Sequence, residues 1–136
     1  MKKYLVLIVV IIISACKKAD YDIKEKIILP TVRDLKFETV NLTQVKLTWA
    51  IPQQIPTEIQ RPLKVFVEVN KITGPTKHIT VFSQEIEGES TSFLFDVPEE
   101  PGEYHVVVKL NGNTIKKDKN YSQNIFSLGQ TVIIKK

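Results

Sequence analysis

Val45-Lys46-Leu47-Thr48-Trp49-Ala50 alternates apolar and polar side chains without a break. A period of two puts Val45, Leu47 and Trp49 on one face of a strand and Lys46, Thr48 and Ala50 on the other. The same period recurs further along. Residues 63–71 set Val65, Val67 and Val69 against Phe66, Glu68 and Asn70; residues 91–97 offer Phe93, Phe95 and Val97; residues 103–110 offer Tyr104, Val106, Val108 and Leu110. A first strand over 32–40 turns Val32, Leu35 and Phe37 inward, with a phase shift that predicts a bulge or a crossing between sheets. A fourth runs over 78–84, and a last over 124–134 is broken or bulged at Gly129. Asn41-Leu42-Thr43, the proline-rich residues 51–62, Thr73-Gly74-Pro75, the acidic turn around Gly88 and residues 98–102 separate these strands. Asn111-Gly112-Asn113 opens a long basic loop ending near Tyr121. The expectation is an all-β, seven-stranded antiparallel sandwich of immunoglobulin-like type.

Several residues sharpen that expectation. Pro30 opens the first strand, and Val45-x-Leu47-x-Trp49 is soon followed by Pro52. Thr91-Ser92-Phe93-Leu94-Phe95 precedes Pro101-Gly102-Glu103-Tyr104-x-Val106-x-Val108. From Pro30 to the C-terminus the chain resembles a fibronectin type III domain. The resemblance implies a tyrosine corner at Tyr104, its hydroxyl bonding back to the backbone across the crossing loop. The crossing loop is about one residue longer than usual for that family, and the last loop and strand are extended.

The N-terminus has a different character. Lys2 and Lys3 precede an uninterrupted apolar run over residues 4–13. At about ten residues it is half the length a spanning helix needs, so it reads as the core of a secretory signal. Ser14 and Ala15 are small, and Cys16, the only cysteine, follows at once. This junction resembles the lipobox of bacterial lipoproteins. The resemblance implies cleavage between Ala15 and Cys16 and acylation at Cys16; an ordinary signal peptide with an incidental cysteine is the alternative. Two or three acyl chains, at about 0.8 kcal/mol per buried methylene, anchor durably where one does not. The chain then divides into a signal peptide (1–15), a lipidated cysteine and tether (16–29) and one domain (30–136). The expected location is the bacterial cell envelope. Lys17, rather than an aspartate, after Cys16 resembles lipoproteins forwarded to an outer membrane, which implies that address where the host has two membranes and leaves the leaflet open.

Charge and chemistry narrow the function. Without Lys2 and Lys3 the balance is 17 basic to 15 acidic residues, near +2. That is too even for a nucleic-acid partner. A lone cysteine cannot form an internal disulfide, so apolar burial must hold the fold. No nucleophile elbow, phosphate-cradling glycine loop or zinc-type Cys/His spacing occurs, and no catalytic group, metal or cofactor is expected. The alternating Glu85, Glu87 and Glu89, and Glu99, Glu100 and Glu103, lack an oxygen-rich calcium loop and read as solvated. Trp49 and Tyr104 stand on the inward phase and read as core rather than as sugar platforms.

Two recognition surfaces follow from the resemblance, which puts the sixth strand between the third and the last. Phe66, Glu68, His105, Val107, Lys109, Thr131 and Ile133 should then be outward neighbours, with Phe66, Val107 and Ile133 as an apolar stripe. The long loops over 51–61 and 111–121 form the second surface, the latter with Lys116, Lys117, Lys119 and Tyr121. The expected function is a membrane-anchored, non-catalytic binding or adaptor module that contacts a protein or a glycan. A structural or assembly subunit of an envelope complex, or an inhibitor or immunity lipoprotein, are the alternatives.

Overall fold

Alternating β-branched residues become paired strands wherever the sequence writes them. The computed structural model describes residues 27–116 and 123–136. Ala15 and Cys16, with all but the end of the tether, lie outside the described residues, as do Lys117, Lys119 and Tyr121. Eight strands follow in order: β1 (Arg33–Thr39), β2 (Gln44–Ala50), β3 (Lys64–Gly74), β4 (Lys77–Ile86), β5 (Ser92–Asp96), β6 (Glu103–Asn113), β7 (Asn124–Phe126) and β8 (Gln130–Lys135). They form two antiparallel sheets. One has the order β1-β2-β5; the other has the order β4-β3-β6-β7, with β8 also on β6. The expected seven strands become eight because the last one breaks at residues 127–129, where the buried Ser127 takes over the ladder. Its Oγ accepts from Leu110 N at 2.8 Å, and its own N–H donates to Leu110 O at 2.8 Å.

The core lies between the sheets. Val45, Leu47 and Trp49 of β2 face Val65, Val67 and Val69 of β3 and Tyr104, Val106, Val108 and Leu110 of β6, all buried. Each fully buried aliphatic contributes about 1.5–3 kcal/mol. Phe82 of β4 closes one side by stacking at 6.0 Å on Phe93 and 6.3 Å on Phe95. β4 is an outer edge, and its register slips against β3 between Val69 and Asn70. Such a bulge bends an edge and discourages pairing with foreign strands.

Three expectations are corrected and one is qualified. Phe37 pairs with Leu47 and keeps the inward parity, but on the edge of the smaller sheet it is 42% exposed rather than buried. The phase shift of β1 is a register slip between Arg33 and Lys36 with Asp34 at φ 53°, and it leaves Phe37 on the rim of the smaller sheet. Leu29, assigned to the tether, is buried in the core and Ile27 packs against it, so the domain begins before Pro30. β3 runs on through Thr73 to Gly74 and leaves a two-residue turn, Pro75-Thr76. β6 continues through Asn111-Gly112-Asn113 instead of ending at Leu110, with Asn111 4% exposed.

Tyr104 is wholly buried, and its hydroxyl donates to Glu100 O at 2.6 Å across the loop that joins the sheets. Tyr104→Phe keeps the ring and removes this bond. The expected cost is about 1 kcal/mol, measured as a shift of the urea midpoint. An unchanged midpoint would mean that the corner contributes nothing.

Candidate functional site

The outward face of the larger sheet is set by register. Phe66 pairs with Lys109, Glu68 with Val107 and Asn70 with His105 across β3 and β6. Val107 pairs with Thr131 and His105 with Ile133 across β6 and β8. Phe66, Val107 and Ile133 therefore stand in three successive rows, each beside a polar or charged neighbour. Gly129 also passes directly over Val107: a Cβ built there would be 2.3 Å from Val107 Cγ1. The expected stripe is cut at its middle. Ile133 remains 47% exposed. Phe66 is half-buried and meets Phe126 edge-on, with ring centroids 6.0 Å apart.

Polar groups fill the rest of the face. Thr80 Oγ1 donates to Asn70 Oδ1 at 2.7 Å, and Asn70 Nδ2 donates to Glu68 Oε1 at 2.6 Å. Lys109 Nζ stands 3.9 Å from Glu68 Oε2. His105 Nε2 lies 2.9 Å from Glu103 Oε1, and Lys135 3.4 Å from Glu103 Oε2. Among the described residues no group of three or more His, Cys, Asp or Glu side chains could hold a metal ion.

At one end of the sheet the groups converge on a cleft of about 270 Å³ lined by Gln60, Arg61, Lys64, Glu85, Glu87, Asn111, Asn113 and Asn124. Lys64 Nζ reaches Glu85 Oε1 and Glu87 Oε1, each at 2.8 Å. Asn111 Nδ2 donates to Glu85 Oε2 at 2.7 Å. Arg61 grips Glu89 with two bonds, Nε to Oε1 at 2.6 Å and a terminal nitrogen to Oε2 at 2.5 Å. The residues 51–61 expected as a free loop are zipped down here. Ile59 is buried and bridges to Thr114, Gln60 N donates to Asn113 O at 2.7 Å, and Ile115 N donates to Glu58 O at 2.8 Å. Lys116, from the other expected loop, is exposed.

These pairings shift titration. Lys64, then Asn111, holds Glu85 below the ordinary carboxylate value; Arg61 does the same for Glu89, His105 and then Lys135 for Glu103, and Lys71 for Glu100. The folded chain therefore binds protons less readily than the unfolded one. Their stabilisation is present above the ordinary value of 4.5 and is lost as the pH falls through the lowered values. The urea midpoint is expected to drop between pH 5 and pH 3, and added salt should shrink the drop because the pairs are solvent-facing. A midpoint flat over this range would count against it.

Sequence reasoning missed Asn111, Phe126 and Leu128. Asn-Gly-Asn reads as a turn, and residues 124–134 read as one strand; the only signal was Gly129, which marks the break. Phe126 is 49% exposed and Leu128 78%. With Phe66 and the stem of Lys109 they line an open apolar hollow beside the cleft. Residues 16–134 match the family model of a domain of unknown function. No curated protein matches the chain.

Proposed function

Because the chain belongs to the DUF4945 family, whose description assigns no activity, we propose a function from its own residues: an envelope lipoprotein, anchored through Cys16, whose single domain is a non-catalytic binding or adaptor module. One observation carries the binding role. The larger sheet ends in an exposed aromatic corner, Phe66 with Phe126, set against a polar cleft. Solvent-exposed apolar groups beside convergent polar ones are the chemistry of recognition. The strand orders β1-β2-β5 and β4-β3-β6, with β7 and β8 on β6, and the Tyr104 bond to Glu100 O support the fibronectin type III-like reading. The anchor rests on Lys2-Lys3, the apolar run and Ser14-Ala15-Cys16. An outer membrane is the proposed address.

Metabolic labelling with an alkynyl fatty acid tests the anchor. The wild-type chain is expected to carry label and to partition into detergent, while Cys16→Ala loses the label and leaves the membrane fraction. An unlabelled wild-type chain would end the lipoprotein reading.

A further inference from the structure

We propose that the corner where β6 meets β7 binds a sugar unit of a neutral glycan, Phe126 taking the C–H face of the ring and the Asn111 cleft taking its hydroxyl rim. This names the ligand class for the binding role proposed above and rests on it.

The first support is an unmet acceptor. Asn111 is 4% exposed, and its Nδ2 is committed to Glu85 Oε2 at 2.7 Å, which fixes the orientation of the amide. Its Oδ1 is enclosed and has no hydrogen-bond partner among the described residues. A buried acceptor left unmet is costly; this one is closed to solvent, so a donor in the cleft that Asn111 lines satisfies it only by displacing what covers it. A hydroxyl is such a donor.

The second support is charge. The cationic groups lining the cleft are already engaged: Arg61 by Glu89, and Lys64 by Glu85 and Glu87. An anionic ligand would have to break these pairs and a cation would meet Lys64, whereas a neutral ligand disturbs neither. The volume of about 270 Å³ is small for a drug-sized ligand and matches a single compact polar unit.

The third support is adjacency. Asn111 and Phe126 are cross-strand partners, so their side chains stand side by side on the outward face. Phe126 is 49% exposed and is braced edge-on by Phe66. A pyranose has an apolar C–H face and a rim of hydroxyls, and it matches a braced aromatic beside a polar cleft. The adjoining hollow bounded by Phe66 and Leu128 leaves room for a second unit along the chain.

The test uses the detergent-solubilised full chain on an array of neutral plant, microbial and host oligosaccharides, with uronic-acid oligosaccharides alongside. Neutral oligosaccharides are expected to retain it, and Phe126→Ala and Asn111→Ala are each expected to weaken binding at least tenfold. Phe126 is exposed, so its variant keeps the fold even if Asn111→Ala does not. Retention on no neutral oligosaccharide, retention on the acidic ones alone, or wild-type binding by Phe126→Ala each overturns the site. Fatty-acid labelling of the same preparation separates the two ideas. A labelled chain that binds no glycan sinks this inference and leaves the lipoprotein; an unlabelled chain that binds keeps the site and sinks the anchor.

Discussion

Trp49→Ala is expected to lower the unfolding free energy by about 3–5 kcal/mol, measured by urea unfolding followed in the far-ultraviolet, since Trp49 is the only tryptophan and its fluorescence goes with it. Trp49 is 5% exposed in the middle of the core facing β3 and β6, and its indole Nε1 donates to Ser90 O at 2.8 Å. Its backbone N–H donates to Thr91 O at 3.0 Å, so one residue ties β2 to the start of β5 twice. Truncation removes both the packing of the ring and the donor for Ser90. Trp49→Phe separates the two effects: most of the packing stays, and about 1 kcal/mol for the hydrogen bond remains as the loss. A loss under about 1 kcal/mol for the alanine variant would show that the ring is not part of the core.

Gly129→Ala comes second, with an expected loss of about 1–3 kcal/mol. On an open backbone the same change would stabilise by about 0.4–1 kcal/mol, through a less mobile unfolded chain. The sign reverses here because the new methyl would stand 2.3 Å from Val107 Cγ1. Lys109, at 3.3 Å, can swing away. Val107 cannot, because a branched side chain held mid-strand has a stiff first torsion. The link between β7 and β8 would have to lift off β6. Val107→Ala in the same chain should restore most of the loss, and this coupling in a double-mutant cycle is the decisive reading. Additive losses would place Gly129 away from Val107.

The interior was legible where β-branched residues write a period of two through a whole strand. β2, β3 and β6 bury the positions the alternation names, and Tyr104 hydrogen-bonds across the crossing loop. Legibility failed where tertiary contacts overrule local chemistry. Asn111-Gly112-Asn113 has the composition of a turn. It stays in β6 because β3, β7 and the strap over 51–62 pair with it or pack on it, and a Cβ at Gly112 would stand 2.6 Å from Ile59 Cγ2 and 3.0 Å from Leu63 Cδ2. The outward face was read with the right parity, but parity does not carry register. Which outward residues lie side by side depends on the stagger between strands, and that placed Phe126, rather than Val107, next to Phe66.

The burial of Leu29 has a geometric consequence for the cleft end of the sandwich. A Cβ at Gly112 would come within 3.7 Å of Leu29 Cδ2, so the point where the chain enters the body and the Asn111 cleft share one pole of the sandwich. Leu29→Ala would therefore open a gap beneath Gly112, at the cleft end, and leave the opposite pole packed.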